Sequence, residues 1–164
     1  MARSIPLRIV IAYDDFPDGV RAWELSERLA SRFLEDFQVD CDLWKFDLLR
    51  DAKSQMRQAS LDAIMEADMV MIAAGGREEL PADVRKWIES WPPRQEVALA
   101  ALVASVGPAA QSSAPHSPMS AYLQERAEVA GMDFFSNEEN RAAILEPVLP
   151  YHQFVHEQCE AASV

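Results

Sequence analysis

Met69-Val70-Met71-Ile72-Ala73-Ala74-Gly75-Gly76, followed a few residues later by Pro81, is the passage that decides the fold of this chain. A short, unbroken apolar run closed by glycines reads as a strand buried on both faces. Pro81 then opens a helix at the position proline tolerates best, and Pro92-Pro93 stops it after Trp91. A buried strand, a turn and a helix in succession make half of a parallel crossover unit.

The same unit recurs on both sides. Upstream, Leu7 to Tyr13 is a first apolar strand, and Asp14-Asp15-Phe16-Pro17-Asp18-Gly19 is the turn that ends it. Val20, Trp23, Leu25, Leu29, Phe33 and Leu34 then recur with a helical period, which predicts a buried stripe with Trp23 in the core. Val39 to Leu49 alternates as a second, more exposed strand, with Trp44 on its apolar side. Ser54 to Glu66 reads as a helix. Downstream, Val97 to Val106 is a fourth strand, and Gly107 to Ser117 is a loop of small residues. Pro118 to Ala130 is a helix capped by Gly131. Met132 to Ser136 is a short fifth strand, and a last helix starts at Asn137, resuming through Val155 to Cys159 after Pro147 and Pro150. Five strands, each followed by a helix, predict one α/β domain over residues 1–164: a doubly wound parallel sheet in the order 2-1-3-4-5, with helices on both faces.

Composition narrows the partners. The chain has 164 residues, enough to bury a core without staples, and its net charge of −12 repels phosphate backbones and anionic membranes. Nucleic acid and membrane are therefore not expected. A protein partner or a small ligand is, and self-association is left open. The apolar run Val97–Val106 is about half the length of a membrane span, and Met1–Pro6 leads straight into a strand, so a cytoplasmic location is expected. Cys41 and Cys159 lie far apart and outside any metal or redox spacing; a disulfide between them stays open but is not expected in a reducing compartment. His152 and His156 share a helical face but lack a third ligand, and His116 has no nucleophile at diagnostic spacing. Trp87 and Trp91, four residues apart, are expected to pack in the core.

In doubly wound sheets ligands bind beyond the strand carboxyl ends, where the strand order reverses. That places a site among Asp14–Gly19, Gly75–Leu80 and Ser105–Pro118. The candidate ligand-binding residues are Asp14, Asp15, Gly75, Gly76, Arg77, Ser105 and Gly107. Two readings of the acidic turn stay open. Asp14 and Asp15 either hold a cation or polar ligand, or cap the first helix and complement its positive end. Gly75-Gly76 either admits a ligand to the backbone or makes a tight turn. No residue is nominated as catalytic or as a metal ligand.

From Ala67 to Glu89 the chain resembles the NAD(P)H-dependent FMN reductases of the flavodoxin-like superfamily. It shares Ala67-Asp68 before the buried strand, Gly75-Gly76 after it, and Pro81, Val84, Arg85, Trp87, Ile88 and Glu89 in the helix; Ser105-Val106-Gly107 and Gly131-Met132 are also similar. The resemblance implies a flavodoxin-like fold and, if fully carried over, FMN. The phosphate loop departs from it. Those relatives follow the first strand with Ser, Thr, Gly and Asn, whereas Asp14, Asp15 and Asp18 oppose a phosphate and Pro17 removes a donor. A weaker resemblance to response-regulator receiver domains rests on Asp14-Asp15 and Ser105. The acceptor Asp implied after the third strand is replaced by Ala73-Ala74-Gly75, and no Lys follows the fifth, where Phe135-Ser136-Asn137 stand. The expected function is a non-catalytic binding or regulatory module without a cofactor. An FMN-dependent oxidoreductase with a divergent phosphate loop is the alternative, and a degenerate receiver is the second.

Overall fold

The computed structural model describes residues 5–33, 37–75, 78–92, 100–105 and 117–136. Within them β1 (Ile5–Tyr13) passes into α1 (Phe16–Phe33), β2 (Phe37–Lys45), a single 3-10 turn (Phe46–Leu49) and α2 (Gln55–Glu66). β3 (Met69–Ala73), α3 (Ala82–Glu89), β4 (Ala101–Ser105), α4 (Pro118–Ala130) and β5 (Asp133–Ser136) complete the order. All four strand pairings are parallel, and the sheet runs β2-β1-β3-β4-β5. This is the expected flavodoxin-like arrangement, with β1 between β2 and β3.

Alternation along the strands sends successive side chains to opposite faces. Ile9, Ile11, Met71, Ala73 and Val103 pack toward α1. Val10, Ala12, Val70, Ile72, Leu102 and Ala104 pack toward α2, α3 and α4. Helices cover both faces, which is why the central strands read as continuous apolar runs. Val10, Ile11, Val70, Ile72 and Leu102 are buried as predicted; Leu99, with the rest of 93–99, lies outside the described residues, as does the predicted last helix.

Three of the boundaries that differ from expectation bear on the packing. First, α1 begins at Phe16, not after Gly19. Asp15 caps it by accepting the Asp18 N–H at 3.0 Å, and Pro17 falls in the first turn, where its missing N–H costs nothing. Gly19 is tolerated there because the Tyr13 ring lies against it; a Cβ would sit 2.9 Å from Tyr13 Cδ2. Second, the alternating run does not continue to Leu49. It breaks at Phe46, whose side chain and that of Leu49 turn into the core from the 3-10 turn. Third, α3 ends at Glu89, before the prolines, and Trp91 packs from beyond the helix end.

The predicted stripe on α1 is rotated. Ala22 and Ser26 face the sheet, whereas Trp23 is 40% and Val20 38% exposed, so Trp23 is not a core residue. Small side chains let the helix approach β1 and β3 closely, and bulk is displaced to the flank. Trp44 does pack against the core. On the other face Trp87 is fully buried. It meets Trp91 edge to face at 5.1 Å and donates its indole N–H to Ser60 Oγ at 2.9 Å, tying α3 to α2. α4 carries the strongest local signals and keeps its predicted bounds: Ser117 caps it, Pro118 follows, and Gly131 ends it at φ 73°.

Candidate functional site at the strand carboxyl ends

Asp14, Gly75 and Ser105 converge at the carboxyl ends of β1, β3 and β4. The Asp14 N–H donates to Ala73 O at 3.0 Å, and the Ala74 N–H to Ser105 O at 3.1 Å. These bonds carry the ladder one residue past the strands, so the ends of the three strands sit side by side. Ser105 is buried and Gly75 half-buried. Gly76, Arg77 and Gly107 lie outside the described residues.

The acidic turn is a helix start. Asp15 caps α1 as described, its side chain otherwise facing solvent. Asp18 was expected in the turn after the first strand; it lies in the first turn of α1, 3% exposed, with Oδ1 on the Arg21 guanidinium. Its Oδ2 is buried and finds no hydrogen-bond partner among the described residues. A buried carboxylate is costly unless compensated. The Arg21 charge and the positive end of the helix supply that compensation.

The consequence for an anion is direct. Within the first turn Pro17 offers no N–H, and that of Asp18 is engaged by Asp15. A phosphate would also meet the Asp15 carboxylate, whose repulsion solvent screens, and the Asp18 carboxylate, whose charge Arg21 partly offsets. Where a receiver would place its acceptor, Ala73 and Ala74 are buried and apolar. Among the described residues no group of three or more His, Cys, Asp or Glu side chains is placed to hold a metal.

Beside this edge lies a set of hydroxyls that sequence reasoning did not single out. Ser117 Oγ accepts the Ser120 N–H at 3.1 Å and lies 3.3 Å from Ser120 Oγ, which is 3.4 Å from Ser136 Oγ. All three serines are buried. The readable signal was Ser117-Pro118-x-Ser120, a helix-cap pattern; the addition of Ser136 needed the β5 register.

The Ala67-Asp68 pair of the reductase resemblance lies at the opposite end of the sheet. Asp68 Oδ2 accepts the Arg8 N–H at 2.9 Å, its N–H donates to Arg8 O at 2.8 Å, and its carbonyl accepts the Ala101 N–H at 3.1 Å. It closes the ladder at the amino ends of β1, β3 and β4, so this part of the resemblance belongs to the scaffold.

No protein-family model matches the chain, and no curated protein matches it. Among solved structures it is similar to an azoreductase from Bacillus anthracis str. Sterne, at 11% identity and a TM-score of 0.48, over 83% of this chain and 90% of that one. It is also similar to a Trp repressor binding protein from Bacillus subtilis, at 13% identity and a TM-score of 0.46, over 78% of this chain and 83% of that one. The sheet order itself makes the fold flavodoxin-like.

Two groups with displaced pKa values lie on the helices and the sheet edge. Burial, aided by the neighbouring Asp42 charge, pushes the Cys41 thiol up to about 11, against an opposing hydrogen bond with Ser26. A thiol so protonated is a poor nucleophile. Burial and a 3.0 Å hydrogen bond to Glu89 push the Tyr122 hydroxyl up to about 12, where it links α4 to α3. A groove of about 840 Å³ also lies away from the strand carboxyl ends, between α1 and β2. No described helix is long and apolar enough to cross a membrane.

Proposed function

We propose that this chain is a non-catalytic flavodoxin-like module that binds a protein partner or small ligand and does not use a flavin. The observation that carries this is the occupation of the α1 N-terminus by its own carboxylates: Asp15 holds the Asp18 N–H, and Asp18 is buried in the first turn. An anion site at a helix start needs unengaged N–H donors and a positive field. Here the field is already neutralised. A flavodoxin-like sheet beside a helix start occupied by its own carboxylates favours binding over catalysis. The acidic surface disfavours nucleic acid and anionic membranes, and the free Cys41 suits a reducing, cytoplasmic setting.

Titrating the apo-protein into FMN and following flavin fluorescence tests the proposal. The expected result is no dissociation constant tighter than about 10 μM, roughly −7 kcal/mol. A sub-micromolar constant overturns it in favour of an FMN-dependent NAD(P)H oxidoreductase with a divergent phosphate loop.

A further inference from the structure

β2 is the end strand of the sheet and pairs only with β1 among the described residues. It is nine residues long, Phe37–Lys45, with no proline to blunt it. An open strand of that length presents a row of backbone donors and acceptors to whatever chain approaches. Its two faces differ. Val39 and Cys41 pack with the α1 side and Trp44 with the opposite side, so Asp40 and Asp42 share the Trp44 face, where both are exposed.

On the α1 side the edge is flanked by the groove. Trp23, Glu24, Ser26, Glu27 and Arg28 of α1 line it with Val39 and Cys41 of β2. Leu43 continues the same strand face and is 42% exposed. Trp23, turned out of the core, is one of the side chains that line it. The edge therefore offers an apolar strip on one face and a pair of carboxylates on the other.

Asp40 and Asp42 also decide who can pair there. Two copies joined antiparallel about a two-fold axis normal to the sheet must oppose residues of the same face. Registers centred on Asp40, Cys41 or Asp42 place Asp directly across from Asp, which destabilises the pair. Registers centred on Val39 or Leu43 avoid this but leave nearly half of the strand unpaired. Self-pairing is disfavoured. A strand with basic residues at alternate positions meets the opposite situation, since each would stand across from a carboxylate of a chain whose net charge is −12.

We propose that the β2 edge and its groove form a docking site for an extended segment of a partner protein. That segment alternates Lys or Arg over Asp40 and Asp42 with apolar residues over Val39, Cys41 and Leu43, adding a strand to the sheet. The site lies apart from the strand carboxyl ends, so it stands whether or not the chain binds flavin.

The test uses blocked peptides matched in length to β2: one alternating Lys and Val, one with the same composition but its lysines grouped, one alternating Glu and Val, and the first with alternate amides N-methylated. Binding is followed by calorimetry and by amide hydrogen exchange. The alternating Lys–Val peptide is expected to bind saturably, to protect amides in Phe37–Lys45, and to bind at least about tenfold more tightly than the other three. Asp40→Asn with Asp42→Asn, a surface change whose folding is checked by circular dichroism, is expected to weaken it about tenfold. The proposal is overturned by equal binding of the grouped-lysine peptide, by binding that leaves β2 unprotected or survives the double substitution, or by no saturable binding. It is equally overturned if the protein alone is a dimer with β2 already protected, because a second copy is then the occupant.

Discussion

Replacing Asp15 tests whether the acidic turn is a helix start. Asp15→Ala removes the acceptor of the Asp18 N–H at 3.0 Å. Loss of an N-cap costs about 0.5–2 kcal/mol. Loss of its charge at the positive helix end adds about 0.3–1 kcal/mol, at the low end here because the side chain faces solvent. The expected total is about 1–2 kcal/mol, or roughly 2–8 °C in melting temperature for a chain of this size. Asp15→Ser keeps an acceptor while losing the charge, so it should recover most of that difference. The assay is urea unfolding followed by circular dichroism, with the slope unchanged across the series. The reasoning fails if Asp15→Ala lies within about 0.3 kcal/mol of wild type, or if Asp15→Ser is as damaging. Millimolar Mg²⁺ at constant ionic strength is a second readout. A carboxylate committed to capping predicts no shift in wild type, whereas a shift of several degrees that vanishes in Asp14→Asn/Asp15→Asn restores the cation reading.

Ser60→Ala should cost about 1–3 kcal/mol because it leaves the buried Trp87 indole N–H without its acceptor. The same change in a Trp87→Phe background should cost about 1 kcal/mol less, and equal costs in the two backgrounds would refute the hydrogen bond. Cys41 should alkylate, in a Cys159→Ser protein, with a rate midpoint near 11 when folded and near its usual 9.0 in urea. Because folding disfavours the thiolate, the stability this thiol contributes is whole below pH 9.0 and is lost as pH rises through 11. A folded midpoint near 9.0 would mean that the thiol is not shielded.

Periodicity and punctuation made most of the fold legible. The apolar runs at Leu7–Tyr13 and Met69–Ala74 could be satisfied only by strands covered on both faces, and strand–helix alternation then required parallel pairing. Pro118 and Gly131 bounded α4 because proline at a helix start and glycine at its end are local chemistry, decided within a few residues. The acidic character of the turn and its missing N–H were legible in the same way, since both are properties of the residues themselves.

Tertiary packing decided the rest. A helix stripe as broad as that of α1 fits more than one rotation, and only the need to approach β1 and β3 closely selected Ala22 and Ser26 for the sheet, leaving Trp23 on the flank. The alternation of Val39–Leu49 cannot mark where a chain leaves a sheet, and the core's demand for Phe46 and Leu49 ended the strand at Lys45. The sequence placed Asp18 in the acidic turn but not its burial, which came with the capped helix start. The place of Asp68 in the sheet, at the end away from the strand carboxyl termini, came only from the strand pairing. The groove beside β2 has no sequence signature at all, because it is made by two segments whose proximity exists only once the sheet has formed. Local chemistry acts over a few residues and can be read in order along the chain; orientation, burial and edge exposure depend on what lies across the fold.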